Sequence, residues 1–229
     1  MKRIGLLGGM SWESSVLYEQ LINRGVRDAL GGVHSADLVV RSYDFAEIEQ
    51  LQAAGDWDAA GTLLAADAVH LERAGCEVIA LCTNTMHLVA DRIEDATGVE
   101  FVHLADATAQ AVRRAGVADV ALLGTRYTME HDFYAGRLRS HGLGVIVPDE
   151  PGRSLVHDVI YDELVQGVVR DESRTGYLDV IRRLVERGAE GVIAGCTEIE
   201  LLVGPDDVDV PYFPTTSLHA EAIVGAALG

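Results

Sequence analysis

The sequence predicts an α/β protein built from two similar halves, each with its own parallel sheet. Three observations lead to this prediction. Eight short apolar runs alternate with longer segments of helical periodicity, the runs have the length and continuity of strands buried in parallel sheets, and motifs in the first half recur in the second. A chain of 229 residues is long enough for one large domain or two small ones.

The predicted strands are runs of aliphatic and β-branched residues that end at glycine or at a polar turn. They cover residues 3–7, 37–42, 78–82, 101–103, 120–124, 143–147, 191–194 and 212–214. The predicted helices lie between them, at residues 14–29, 57–74, 105–115, 134–140, 154–166, 175–187 and 220–228. In the 175–187 segment the apolar residues recur at helical spacing, and Gly188 is a natural C-terminal stop. This alternation predicts Rossmann-like parallel sheets that helices cover on both faces.

An internal repeat defines the two halves. The similar segments are Ile4–Gly8 and Val120–Gly124, Val78–Asn84 and Val192–Glu198, and Val102–Thr108 and Tyr212–Leu218. Gly8 and Cys82 are 74 positions apart, and Gly124 and Cys196 are 72 apart. We therefore expect an N-terminal domain at 1–110 and a C-terminal domain at 111–215, related by a pseudo-twofold axis with the active site between them. The C-terminal helix, 216–229, is expected to pack on the first domain.

Composition and charge exclude several classes of function. The formal net charge of −18 argues against a nucleic-acid partner, because such binders usually display a basic face. The apolar runs are far below the roughly 18 residues of a membrane span, so no membrane association is expected. The only lysine is Lys2, whereas an internal Schiff base to pyridoxal phosphate (PLP) needs a buried lysine. We therefore expect no PLP and no other cofactor.

The start of the chain and the cysteine count predict a reducing compartment. Met1–Arg3 leads directly into an apolar strand, without the pattern of a secretory signal. The three cysteines form no C-x-x-C pair and no disulfide framework. A cytoplasmic protein with reduced thiols is expected. The eight histidines show no metal-ligand spacing, so no metal site is predicted.

Two cysteines occupy matching positions of the repeat. Cys82 and Cys196 each end an apolar strand and precede a threonine. In open parallel sheets, ligands bind beyond the carboxyl ends of the strands, and the N-terminus of a following helix favours the thiolate. A buried cysteine is otherwise a small core hydrophobe. The repeat favours a functional role for this pair, whereas Cys76 has no counterpart and is expected to be structural.

Two thiols suit proton transfer at a carbon centre, where one removes a proton and the other delivers one to the opposite face. If the centre is the α-carbon of an amino acid, its hydrogen is weakly acidic. Hydrogen bonds to the α-carboxylate must then stabilise the carbanion. The candidate donors are polar residues of the strand-end turns, namely Thr83, Asn84, Thr85, Thr125 and Thr197. These residue types also cap helices, and both roles are compatible.

Four further residues are weaker candidates. Met10 and Ser11 lie in the turn after the first strand, which either receives a substrate carboxylate at a helix N-terminus or is only a tight turn. Gln52 lies in the polar stretch 50–57, which either reaches over the site or is a surface loop. His87, five positions after Cys82, either supports that thiol through a hydrogen bond or is structural.

These motifs resemble those of the aspartate/glutamate racemase superfamily, PLP-independent enzymes with two α/β domains and one cysteine in each. The segments that carry the resemblance are Gly8–Ser14, Cys82–His87, Leu123–Met129 and Gly195–Ile199, and the resemblance covers the whole chain. It implies a cofactor-independent amino-acid racemase in which Cys82 and Cys196 are the two acid/base residues. The turn 83–85 would hold the substrate carboxylate, and Glu198 lies where glutamate-specific relatives carry a histidine. A homodimer is expected by the same resemblance.

One departure bears on the substrate. Aspartate-specific relatives hold the distal carboxylate with an arginine after the second strand and a lysine in the second half, but Asp44–Ile48 and Tyr161–Gly167 contain no base. We expect a neutral or broad range of side chains, unless Arg41 or Arg126 substitutes. The alternatives are another isomerase of the superfamily, acting on hydantoins or on maleate, and a non-enzymatic binding or redox protein that uses the thiols.

Overall fold

Eight strands form two parallel sheets of four strands each in the computed structural model, which describes residues 1–229. The strands are β1 (Ile4–Gly8), β2 (Leu38–Ser42), β3 (Val78–Leu81), β4 (Glu100–Val102), β5 (Asp119–Gly124), β6 (Gly144–Ile146), β7 (Gly191–Gly195) and β8 (Tyr212–Pro214). The strand orders are β2-β1-β3-β4 and β6-β5-β7-β8, and every pairing is parallel. The predicted α/β class is confirmed, and the two sheets share one topology.

Ten helices connect the strands. They are α1 (Trp12–Leu30), α2 (Phe45–Ala54), α3 (Trp57–Arg73), α4 (Ala90–Ala96), α5 (Leu104–Arg114), α6 (Arg126–Glu130), α7 (Asp132–Ser140), α8 (Gly152–Asp162), α9 (Asp171–Glu186) and α10 (Thr215–Leu228). Short 3-10 turns lie at Thr85–Val89, Leu164–Gln166, Thr197–Leu201 and Pro205–Asp207. None of the helices is both long and apolar enough to cross a membrane.

All eight predicted strands are present, each within one residue of its expected ends. Buried parallel strands are easy to recognise because both of their faces are covered, so they read as continuous apolar runs. Strands β1 and β7 are buried at every position, as are the four residues of β3. Cys76 is also buried in the core around these strands, as expected of a structural cysteine.

The polar stretch 50–57 is not a loop. It contains the end of α2, a turn at Gly55 and the start of α3. The side chain of Asp44 caps α2 by accepting a hydrogen bond from the amide of Ala46, and Asp56 caps α3 in the same way. Ile48 and Gln52 lie one turn apart on the buried face of α2. A buried glutamine on this face hides the helical pattern, which explains why the sequence favoured a loop.

The chain forms two compact units. The first contains residues 1–104 and 216–229, and the second contains residues 105–215. The sequence-based division after residue 110 falls inside α5, most of which belongs to the second unit. Helix α10 packs on the first unit, where Ile223 and Ala227 join a core cluster with Tyr18 and Ile22 of α1. The amide of Lys2 also donates a hydrogen bond to the carbonyl of Ala227 at 2.8 Å.

Candidate active site

Both cysteines of the repeat directly follow an inner strand of their own sheet. Cys82 follows β3, which lies between β1 and β4, and Cys196 follows β7, which lies between β5 and β8. The inner strands are β1 and β3 in the first sheet and β5 and β7 in the second. The chain leaves each pair in opposite directions along the sheet, and open α/β sheets bind ligands in the crevice that this reversal creates at the carboxyl ends of the two strands. The turns that begin at Gly9 and Cys82 flank this point in the first unit. Those at Thr125 and Cys196 flank it in the second.

The Cys82 thiol lies in an apolar environment. The residue is fully buried and packs in a cluster with Tyr18, Ala80 and Ala220. Its amide donates a hydrogen bond to the carbonyl of Leu7 at 2.9 Å. Burial raises the pKa of the thiol well above its ordinary value, because a thiolate is poorly solvated there. The segment that follows is a five-residue 3-10 turn rather than a regular helix. The expected stabilisation of a thiolate by a helix N-terminus is therefore outweighed by desolvation.

The turn after Cys82 is closely held by hydrogen bonds. Asn84 and Thr85 are buried, and Thr83 is partly buried. The Thr83 amide donates to the Leu81 carbonyl at 2.9 Å, and the His87 amide donates to the Asn84 carbonyl at 3.1 Å. The three polar residues that the sequence proposed for the substrate carboxylate thus lie together at the carboxyl end of β3.

His87 contacts the main chain around this turn. Its Nδ1 lies 2.7 Å from the carbonyl oxygen of Thr83, and its Nε2 lies 3.2 Å from the amide nitrogen of Leu104. The sequence left two roles open for His87, a hydrogen bond to the Cys82 thiol or a structural role. These two contacts join both ring nitrogens to backbone groups, one of them in the residue directly after Cys82.

Met10 and Ser11 lie at the carboxyl end of β1 and are buried. The preceding Gly9 has a φ of +85°, and a Cβ there would lie 2.4 Å from the Tyr43 amide nitrogen, so no other residue fits. Ser11 caps α1 by accepting a hydrogen bond from the Ser14 amide at 3.3 Å. The turn after β1 therefore leads directly into the N-terminus of α1.

Gln52 is buried behind the first-unit turn. Its Nε2 donates to the sulfur of Met86 at 3.0 Å, so the glutamine packs against the segment that begins at Cys82. This contact was not expected from the sequence, since it joins α2 to a turn 34 positions later in the chain.

The Cys196 thiol packs against the apolar core of the second unit and contacts one carboxylate. The residue is partly buried, and its Sγ donates a hydrogen bond to Oε2 of Glu198 at 2.9 Å. Burial and the negative charge of Glu198 both raise the pKa of the thiol well above its ordinary value. The carboxylate that the resemblance assigned to a supporting position is therefore in direct contact with the cysteine.

Thr125 and Thr197 begin the segments that follow the two inner strands of the second sheet. Thr125 is buried and caps α6, where its Oγ1 accepts a hydrogen bond from the Thr128 amide at 3.4 Å. Thr197 opens the 3-10 turn that carries Glu198. Because Gly124 and Gly195 are paired across β5 and β7, the two threonines follow neighbouring strand ends.

Glu200 is a polar residue of this region that the sequence analysis did not single out. Its Oε1 is buried and has no hydrogen-bond partner. Burial and the nearby Glu198 raise the pKa of this carboxyl to about 7. The pattern Cys-Thr-Glu-Ile-Glu contains the signal, because both carboxylates fall on one short 3-10 turn. The burial of the second one depends on tertiary packing.

The two arginines considered for a distal carboxylate already have partners. The Nε of Arg41 is 2.9 Å from Asp67, and its guanidinium lies 4.2 Å from the centre of the Tyr43 ring. Arg126 donates to Ser154 at 3.3 Å and lies 3.7 Å from Glu130. No group of three or more histidine, cysteine, aspartate or glutamate side chains is arranged to hold a metal ion.

Comparison with known proteins identifies the family. The family model described as Asp/Glu/Hydantoin racemase matches residues 7–223. The fold is similar to that of a proposed Asp/Glu racemase from Yersinia pestis, with a TM-score of 0.96, 52% identity and full coverage of both chains. It is also similar to that of an aspartate racemase homologue from Pyrococcus horikoshii OT3, with a TM-score of 0.88, 33% identity and full coverage of both chains.

A curated relative extends the comparison to an enzyme of described activity. The broad specificity amino-acid racemase RacX of Bacillus subtilis is 22% identical over 164 residues, which cover 70% of this chain and 69% of RacX. The family match spans nearly the whole chain and includes both inner-strand cysteines. The chain therefore belongs to the Asp/Glu/hydantoin racemase family and is an isomerase of that family.

Proposed function

We propose that this protein is a cofactor-independent amino-acid racemase in which Cys82 and Cys196 act as acid and base on opposite faces of the substrate's α-carbon. The observation that carries the proposal is the equivalent placement of the two thiols. Each directly follows the inner strand at the point where its sheet reverses order, and each precedes a threonine. A structural cysteine such as Cys76 has no such counterpart in the other unit.

In each turnover, one sulfur begins as a thiolate and the other as a thiol. The thiolate removes the hydrogen from the α-carbon as a proton, and the electron pair of the broken C–H bond stays on the substrate as a carbanion. The other thiol then donates its proton to the opposite face, which forms the enantiomer and leaves that sulfur as a thiolate. The reverse reaction uses the same groups with their roles exchanged, so no redox partner is needed.

The carbanion requires stabilisation by hydrogen bonds to the α-carboxylate, because its negative charge spreads onto those oxygens. We assign this role to Thr83, Asn84 and Thr85. The remaining substrate contacts are assigned to the turn residues Met10, Ser11, Thr125 and Thr197 and to the buried Gln52. The burial of most of these polar side chains supports the assignment, since water is largely excluded and each hydrogen bond is stronger in such surroundings.

The raised pKa values of both thiols define the resting state. Without substrate, both cysteines are protonated at neutral pH. One proton must therefore leave before the reaction starts. Glu198 is the immediate acceptor at Cys196, since the two groups already share a hydrogen bond. The cationic ammonium group of a bound amino acid also favours the thiolate through Coulomb attraction.

The proposed substrate range is broad rather than restricted to aspartate. Aspartate-specific relatives hold the substrate's distal carboxylate with basic residues, but the corresponding segments here, Asp44–Ile48 and Tyr161–Gly167, contain acidic residues and no basic ones. Glu163, in the second segment, is already bound to Arg170 and Ser173. A second acidic group on the substrate would meet no free cationic partner there. The described activity of RacX, a broad specificity amino-acid racemase, is in line with this proposal.

The test is isotope exchange at the α-carbon. The purified protein, without added PLP, is incubated in D₂O with single enantiomers of acidic, neutral and basic amino acids. The readouts are α-deuterium by NMR and enantiomer composition by chiral chromatography. Racemisation of at least one amino acid with deuterium incorporation is expected. If no amino acid reacts but a 5-substituted hydantoin racemises or maleate isomerises, the substrate is wrong. If none of these reacts, the enzyme mechanism is wrong, and oxidation of the two thiols becomes the activity to measure.

A further inference from the structure

Three buried histidines meet in the first unit, next to the turn that follows Cys82. His87, His103 and His219 are at most 5% exposed, although they come from the β3 turn, the end of β4 and helix α10. The ring centroids of His87 and His103 are 4.6 Å apart, and those of His87 and His219 are 5.9 Å apart. The acid/base mechanism proposed above uses none of these rings directly.

The hydrogen-bond partners of His87 define its protonation state. A carbonyl oxygen only accepts, so the Nδ1 that lies 2.7 Å from the Thr83 carbonyl carries the hydrogen and donates it. A backbone amide only donates, so the Nε2 that lies 3.2 Å from the Leu104 nitrogen presents its lone pair. Only the neutral ring with hydrogen on Nδ1 makes both bonds. Protonation of Nε2 would remove the acceptor for Leu104.

His219 is fixed in the opposite tautomer. Its Nε2 donates to the carbonyl oxygen of Val102 at 2.7 Å, and its Nδ1 accepts from the hydroxyl of Tyr18 at 2.9 Å. Burial lowers the pKa of His219 to about 4, so this ring is neutral at physiological pH. His87 therefore packs against a ring that two hydrogen bonds hold in place.

The carbonyl that His87 binds belongs to the residue directly after Cys82. That carbonyl shares its peptide plane with the amide of Asn84, so its orientation sets the direction of the next N–H group. On the other side of Thr83, the amide donates to Leu81. The peptide groups on both sides of Thr83 are thus fixed, one by the strand end and one by the imidazole.

We propose that His87 is a positioning residue for the Cys82 half of the reaction: its neutral Nδ1–H tautomer fixes the Thr83 carbonyl, while His219, itself hydrogen-bonded to Tyr18, packs against its ring. This inference rests on the proposed racemase function. The imidazole does not contact the reacting atoms and takes no proton from the substrate. Its role is to keep the turn aligned with the thiol, because small errors in alignment cost large factors in proton transfer.

The structure offers a matched pair of substitutions. In His87→Asn, the side-chain amide nitrogen takes the position of Nδ1 and keeps the donation to Thr83. In His87→Gln, the longer side chain takes the position of Nε2, so it keeps the acceptor for Leu104 and loses the donation to Thr83. Both variants remove the ring, and the shorter Asn leaves the larger cavity, so a merely structural role would make His87→Asn at least as damaging as His87→Gln.

The proposal predicts a larger effect on the Cys82 face of the α-carbon than on the Cys196 face, because the turn carries Cys82 as well as the residues assigned to the α-carboxylate. A Cys196→Ser background retains Cys82 and reports solvent exchange of the hydrogen on the Cys82 face. A Cys82→Ser background reports the Cys196 face. We expect His87→Gln to lower the Cys82-face exchange rate by about a hundredfold and His87→Asn to lower it by less than about tenfold. The exchange rate on the Cys196 face is expected to fall by less than about tenfold in His87→Gln and by about twofold or less in His87→Asn, because the turn also holds the α-carboxylate that both faces share.

Three results would overturn the inference. Equal losses in both variants, or equal losses on both faces, would make His87 a general structural residue. NMR of the wild-type imidazoles gives a readout that needs no activity: His87 is expected as the neutral Nδ1–H tautomer at pH 7, and an Nε2–H or cationic ring would contradict the proposal. If no amino acid exchanges at all while NMR finds the expected tautomer, the racemase proposal has failed and the positioning role fails with it, although the hydrogen bonds are real.

Discussion

Cys82 and Cys196 follow equivalent strands but lie in different chemical surroundings. Cys82 is fully buried among apolar side chains, and desolvation alone raises its pKa. Cys196 is partly buried and shares its proton with Glu198. The repeated topology thus determines where the two thiols lie, whereas the residues around each one determine how it holds its proton. The two faces of the proposed reaction should therefore respond differently to pH and to substitution.

Loss of either thiol should have the largest effect. Cys82→Ser and Cys196→Ser are each expected to lower the rate of racemisation by about a thousandfold or more, because a hydroxyl does not ionise near neutral pH. Chiral chromatography of the products measures the rate. Cys76→Ser is the matched control, since it replaces a buried thiol outside the proposed site. Near-normal turnover in either of the first two variants would disprove the two-base mechanism.

His219 should make the first unit sensitive to acid. His219 has a folded pKa of about 4 against an ordinary value of 6.5, so the unfolded state binds the extra proton in this range. Stability is therefore complete above pH 6.5 and falls by about 3 kcal/mol as the pH drops to 4. Urea unfolding across this range measures the change. His219→Gln should flatten the dependence, and an unchanged slope would show that His219 is protonated in the folded state.

Glu198 should matter mainly on the Cys196 face. Glu198→Gln removes the proton acceptor, and the exchange rate on that face is expected to fall by about thirtyfold while the other face changes little. The loss of the negative charge should also lower the pKa of Cys196. Alkylation of Cys196 at a fixed pH near 8 should therefore become faster as catalysis becomes slower. Faster alkylation with an unchanged exchange rate would mean that Glu198 raises the pKa of Cys196 but does not accept its proton.

Glu200 should give the second unit the opposite dependence on pH. Its folded pKa of about 7 exceeds the ordinary 4.5, so the folded state binds the extra proton between these values. Its contribution to stability is present below pH 4.5 and falls by about 2 kcal/mol as the pH rises to 7, after allowance for its partial exposure. Glu200→Gln should remove this loss in the same unfolding experiment. A steeper loss in the variant would contradict the burial of its carboxyl.

The sequence predicted the parts of the fold that depend on local patterns. All eight strands are predictable because they are continuous apolar runs, and the repeat alone singles out the two cysteines. Helix α2 was not found because its buried face carries Gln52 instead of an apolar residue. The meeting of His87 with His219 was also beyond prediction, since 132 positions separate them and only the return of α10 to the first unit brings them together.

In the candidate site, too, some features follow from local sequence patterns and others depend on tertiary packing. The positions of the two thiols follow from strand ends, which the sequence shows directly. The surroundings that decide their pKa values depend on packing, so the expected effect of a helix N-terminus on Cys82 was outweighed by desolvation. Glu198 was recognised from its place beside Cys196. Glu200, two positions later, became a candidate only through its buried oxygen.

The origin of the hydrogen in the product tests the central claim most directly. A single enantiomer of the best substrate is incubated in D₂O, and the product enantiomer is isolated at a few per cent conversion for mass spectrometry. Two thiols on opposite faces predict a product that carries deuterium at the α-carbon in essentially every molecule, because the second thiol has exchanged its proton with solvent. Product that retains the substrate's own α-hydrogen would show that one base serves both faces and would contradict the account.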